Sequence, residues 1–143
     1  MKSDGAIFKG RECYSRVDKT FQKIETDLHN LTPAIGELNG DRSNLPYGIV
    51  KGEPREYGQC DFEIGGTPKV TEPRDEVRSD AARTWLYMTD TYRITLTDSQ
   101  RKMFEAWSQA DPPDSWEKLR NRRIEPRFSN RAQFPMEAIR ELH

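Results

Sequence analysis

Eight side chains able to bind a cation or a phosphate crowd into the eighteen residues Asp27–Asn44. They are the carboxylates Asp27, Glu37 and Asp41, the amides Asn30, Asn39 and Asn44, the imidazole of His29 and the guanidinium of Arg42. Carboxylate and amide oxygens are hard donors, the type a Mg2+-like cation takes together with water and a phosphate oxygen. Arginine meets phosphate with a planar fork of N–H groups. Asn39 offers an amide oxygen to a metal, and the following Gly40 lets the chain turn away from it. The plainer alternative is that Asn39-Gly40 only ends a helix, as Asn-Gly commonly does. His29 carries an imidazole, a side chain able to serve as a general base. It can equally be a helix-supporting histidine.

These groups need elements to hold them. Residues 1–20 are polar and are expected to be loop. Phe21, Ile24 and Leu28 recur at helical spacing and predict a short amphipathic helix. Asn30 is expected to cap a second helix with Pro33 early in it and Asn39-Gly40 at its end. Residues 40–58 read as a long ordered loop. Asp61–Ile64, the Gly65-Gly66 turn and Lys69–Thr71 predict a hairpin.

After Pro73 the periodicity becomes clear. Val77, Ala81, Trp85, Met88 and Tyr92 form the stripe of a helix over about 74–92. Thr97–Gln100 is a capping box before Met103, Phe104 and Trp107. Asp114 with Glu117 repeats that signal before Trp116, Leu119 and Ile124, and Pro126 should end the third helix. The three tryptophans are expected in the core. The chain is expected to be one domain of 143 residues: the site segment 1–45, the loop and hairpin 46–73 and the helical body 74–143.

Composition narrows the classes. Apolar residues are 34% and charged residues 33%, against about 45–50% and 25% in typical domains, so the core must be modest. An aromatic share of 10% argues against a disordered chain. A net charge of −1 conceals a basic stretch, with Arg120, Arg122, Arg123, Arg127, Arg131 and Arg140 against Glu125 alone before Glu137. That stretch is either a phosphate-binding surface or a solvated helix face. Met1–Gly5 leads into no apolar run, so no signal peptide is expected within these residues. No run is long and apolar enough to predict a membrane span. Cys13 and Cys60 follow no metal spacing and fit either one disulfide or two free thiols.

Read together, Asp27–Asn44, Lys9–Cys13, Tyr57–Cys60, Ala82–Met88, Ala106-Trp107 and Trp116-Glu117…Arg120…Arg123-Ile124 resemble the bacterial endonuclease I family in order and spacing. The resemblance implies an α+β fold, partly a ββα-metal (His-Me) finger, mainly helical with a small hairpin. It implies Mg2+-dependent or other divalent-cation-dependent, sequence-nonspecific cleavage of DNA, with RNA as a second polynucleotide substrate. It assigns Asn39 to the metal, Glu25 to its support, Arg11 to the scissile phosphate, and His29 and Asn30 to holding the helix. Arg42, Arg83, Arg120, Arg123 and Arg127 become contacts to the nucleic-acid backbone, which position without reading sequence. A Cys13–Cys60 disulfide and a periplasmic or secreted location are implied as well, and no membrane partner.

The 143 residues depart from the family pattern at both ends. The strand ending in Glu-His, which carries a metal-binding glutamate and the general base, has no counterpart among them. The usual Gly-Asn-His-Asn-Pro-like stretch is reduced to Ser129–Gln133, and several family cysteines are missing. Three expectations follow: a longer natural chain supplies the strand, a second polypeptide supplies it, or the domain binds nucleic acid or a protein partner without cutting.

Overall fold

The computed structural model describes residues 2–3, 6–7, 10–52 and 54–125. Among these residues the architecture is α+β, six α-helices with two antiparallel two-stranded sheets. The first sheet pairs β1 (Lys2–Ser3) with β2 (Ala6–Ile7). Helices α1 (Gly10–Val17) and α2 (Lys19–Glu25) follow, joined through Asp18 alone. Asp18 makes the sharp break possible because its carboxylate caps α2, accepting from Thr20 N at 2.8 Å and Phe21 N at 3.0 Å. The expected loop at 1–20 is thus corrected to a hairpin and a helix. Nothing in Gly10–Val17 shows a buried apolar stripe to betray that helix, and it buries no residue.

A 3-10 turn (Leu28–Asn30) leads to α3 (Gly36–Arg42). The expected second helix therefore begins later than Asn30 and Pro33. Asn39 and Gly40 lie inside α3, and the helix ends at Ser43 with a positive φ of 48°. Asn-Gly is a stop only where tertiary context lets it be one.

β3 (Phe62–Gly65) and β4 (Val70–Pro73) form the expected hairpin. Part of the preceding loop joins β4 in parallel, with Thr71 N donating to Pro46 O at 2.9 Å and Gly48 N to Thr71 O at 3.0 Å. Gly48 is required there. A Cβ at that position would meet the Val70 side chain at 2.8 Å.

α4 (Asp75–Tyr92), α5 (Asp98–Ala110) and α6 (Ser115–Ile124) make the helical body. Both expected capping boxes are formed, Thr97 with Gln100 and Asp114 with Glu117. The core lies between α4 and α5 around Ala82, Phe104 and Trp107. Trp85 stacks on Phe104 at 5.9 Å between ring centres, and Trp107 meets the same ring edge-on at 6.0 Å. Two expectations need correction. α4 buries Ser79, Ala82, Arg83, Tyr87, Met88 and Thr89, a face turned from the predicted stripe and partly polar. Trp116 is 60% exposed and belongs to no core. Among the described residues, no helix is long and apolar enough to cross a membrane.

Candidate functional site

Helices α1 and α2 fold back on one another, bringing the start of one beside the end of the other. Arg11 Nε consequently donates to Glu25 Oε2 at 3.4 Å, and Ser15 Oγ donates to the same oxygen at 2.9 Å. Gln22 Nε2 fastens the hairpin from the other side, donating to Ser15 O at 2.8 Å. The Arg11 side chain is 78% exposed and that of Glu25 is 21% exposed. An arginine held through Nε keeps its two Nη groups for a ligand. Ser15 was not singled out from the sequence, although its i+4 spacing from Arg11 places both on one face.

Asn39 is exposed on α3. Among the described residues, no hydrogen bond joins its side chain to Arg11 or Glu25. The structure therefore unites two of the three expected central groups and leaves the third on a separate helix. Asn39 and Glu25 are oxygen donors and fit a Mg2+-type cation in kind. They do not form a cage: among the described residues, no group of three His, Cys, Asp or Glu side chains is placed to hold a metal ion.

The residues between these helices form a buried polar junction. Asp27 is 1% exposed. Its Oδ1 accepts from His29 N at 2.9 Å and His29 Nδ1 at 3.1 Å, and its Oδ2 accepts from Tyr87 Oη at 3.0 Å and Tyr92 Oη at 2.6 Å. Burial opposes ionisation of this carboxyl. The bonds from His29, Tyr92 and Tyr87 outweigh it and hold the group far below the usual carboxylate range. Burial together with the Asp27 charge pushes the Tyr87 phenol upward. His29 is buried, its ring 4.5 Å from that of Tyr87 and its Nε2 2.9 Å from Asn121 Oδ1. Asn30 donates from its side chain to Ile24 O at 3.3 Å, closing the end of α2.

The remaining arginines divide into bound and available groups. Arg83, expected on a nucleic-acid surface, is instead 8% exposed. It forms a bidentate pair with Glu117 at 2.8 and 2.6 Å and reaches Asp80 at 2.9 Å and Asp111 O at 2.6 Å. Burial and the Glu117 charge raise the Asp80 carboxyl above its ordinary value. Arg120 is likewise spent inside the chain, its Nη2 donating to Leu28 O and Leu31 O at 2.6 Å each. The sequence could not show that these two cations have internal partners. Arg42 lies 4.4 Å over the Tyr47 ring and is partly exposed. Arg122 and Arg123 are exposed on α6. Arg127 lies outside the described residues, as does the stretch 129–133. Cys13 and Cys60 are free thiols, so the implied disulfide is not formed in this structure.

A family model described as Endonuclease I matches residues 11–137. Endonuclease-1 of Buchnera aphidicola subsp. Acyrthosiphon pisum is 45% identical over 107 residues, covering 75% of this chain and 43% of its own length. A periplasmic deoxyribonuclease of Aeromonas hydrophila is 47% identical over 105 residues, 73% of this chain and 44% of its own. An extracellular deoxyribonuclease of the same organism is 43% identical over 116 residues, covering 80% and 50%. The chain thus spans about half the length of the curated relatives it matches.

Proposed function

The chain belongs to the endonuclease I family, and on that premise we propose that it serves divalent-cation-dependent, sequence-nonspecific cleavage of DNA. The observation that carries this reading is the meeting of Arg11 and Glu25, fourteen positions apart, with Ser15 closing on the same carboxylate oxygen. Glu25 holds the guanidinium plane through Nε, and the Nη groups of Arg11 bind the scissile phosphate. Asn39 would hold a Mg2+ ion with Glu25 in support, water and phosphate filling the remaining positions. When bound, that ion supplies neutralisation of charge on the phosphate and the leaving oxygen. Arg42, Arg122 and Arg123 add backbone contacts, which carry affinity but no sequence preference.

Water activation is not assigned to His29, because its Nδ1 faces the Asp27 carboxylate and its Nε2 faces Asn121 in a buried junction. The base comes from outside residues 10–125, from further sequence or from a second polypeptide. Without it these residues alone cut slowly, a loss of roughly 10²–10⁴ in rate. Action in the periplasm or outside the cell, the locations in the names of the two Aeromonas hydrophila relatives, and cleavage of RNA belong to the same proposal. A second reading, a domain that binds nucleic acid without cutting, is supported by the exposed Arg122 and Arg123 of α6, which can meet phosphates without any metal.

Plasmid degradation with Mg2+, with EDTA and with Asn39→Ala decides between them. Metal-dependent nicking that the substitution abolishes supports the nuclease. Retardation of DNA with no nicking, even at high protein and long times, supports the binding domain. RNA offered in the same assay tests the second substrate.

A further inference from the structure

The site helices have an unusual attachment. No residue of α1, α2 or α3 is fully buried, and Phe21 and Ile24 of α2 are only half-buried, so directional bonds carry much of the attachment of α2 to the body. The densest anchor lies two residues past Glu25. There the fully buried Asp27 accepts four hydrogen bonds, from His29 N, His29 Nδ1, Tyr87 Oη and Tyr92 Oη. Both tyrosines belong to α4, so the carboxylate ties the end of α2 to the longest helix of the body. Arg120 of α6 grips the same turn from another direction through the carbonyls of Leu28 and Leu31.

We propose that Asp27 is a positioning residue for the Arg11–Glu25 pair. It sets the end of α2 on α4 through Tyr87 and Tyr92, and so sets where the Glu25 carboxylate stands against α1. The proposal rests on the nuclease reading for what the pair is for, but not for its geometry. Two intervening backbone steps reach at most about 7 Å, so a displacement of Asp27 passes to Glu25 with little slack. A misplacement of about 1 Å at a reacting group can cost a factor of about 10² in rate. Four acceptor bonds fill the lone-pair capacity of one carboxylate. An amide cannot accept all four: one of its two oxygen positions becomes an NH2 group that only donates, so two of the bonds must reverse direction or break, and the negative charge that strengthened them is gone.

The test reads the pair itself and needs no catalysis. The Nε–H resonance of Arg11 is followed by NMR in the full chain, with Glu25→Ala defining the signal of a lost partner. Asp27→Asn is expected to move the resonance most of the way to that position, at a temperature where circular dichroism shows the chain folded. Tyr92→Phe, which deletes one hydroxyl and no charge, serves if Asp27→Asn does not fold, and is expected to give a smaller shift in the same direction. Phe104→Leu, in the α4–α5 core, destabilises the body and should leave the resonance in place. An unmoved resonance in folded Asp27→Asn overturns the proposal, as does an unmoved resonance in Tyr92→Phe if Asp27→Asn is unfolded. An equal shift in Phe104→Leu overturns it too, since any loss of stability would then suffice. An inactive wild-type chain would strike the nuclease reading and leave this result standing.

Discussion

The helical body and the site helices are built on different physics. α4 buries six side chains and α5 buries Phe104 and Trp107, while α1, α2 and α3 bury none. Arg11, Ser15, Glu25 and Asn39 all lie in the second group. The body is held by ring packing, which is non-directional and roughly proportional to area. The turn that carries the site helices is held by directional bonds to Asp27 and from Arg120, which fix orientation but leave surface uncovered. The difference separates stability from chemistry: substitutions in one region should move melting, and in the other should move ligand binding.

Phe104→Ala is the strongest way to break the body side of that comparison. It removes the ring shared by Trp85, Trp107 and Tyr47, and urea unfolding should report a loss of about 3–5 kcal/mol. DNA affinity measured where the variant remains folded should be unchanged.

Arg83→Met should come close behind, at about 3 kcal/mol, because it leaves Glu117 and Asp80 without their buried cation. Its DNA affinity should also hold. A selective loss of affinity with normal stability would return Arg83 to the nucleic-acid surface.

Acid titration sharpens the junction between the regions. The Asp27 carboxyl is depressed in the folded chain below its ordinary value of 3.8. Its stabilising contribution is therefore full above that pH and is lost as pH falls through and below it. Asp80 is raised and works in the opposite sense. Stability should fall steeply in acid for the wild type and less steeply for Tyr92→Phe, which weakens the bonds that lower the carboxyl. Equal slopes would remove Asp27 from the account. The smallest effect is expected from Trp116→Ser, within about 0.5 kcal/mol, since exposed positions tolerate exchange.

Much of the body was legible in the sequence. Capping boxes at Thr97 and Asp114 are local chemistry, and Pro73 followed by the periodicity from Val77 to Tyr92 announces α4. What was not legible depends on partners far along the chain. Trp107 and Trp116 look alike as letters at helical spacing, yet only the first faces a neighbouring helix. Arg83 and Arg120 look like surface cations until Glu117 and the carbonyls of Leu28 and Leu31 stand against them. For the site, Arg11, Glu25 and Asn39 came from family resemblance, and geometry joins only the first two. Asp27, Tyr87, Tyr92 and Asn121 converge over more than ninety positions, a distance no periodicity can bridge.

The claim that the site helices, rather than the body, meet the phosphodiester backbone is open to a direct measurement. Affinity for a short DNA duplex is followed by fluorescence anisotropy across a salt series in Mg2+, for the wild type and for Arg11→Ala. Loss of one phosphate contact should weaken binding with melting unchanged, and should lower the slope of log affinity against log salt by about one. An Arg11→Ala chain that binds as tightly, with the same slope, would contradict the account.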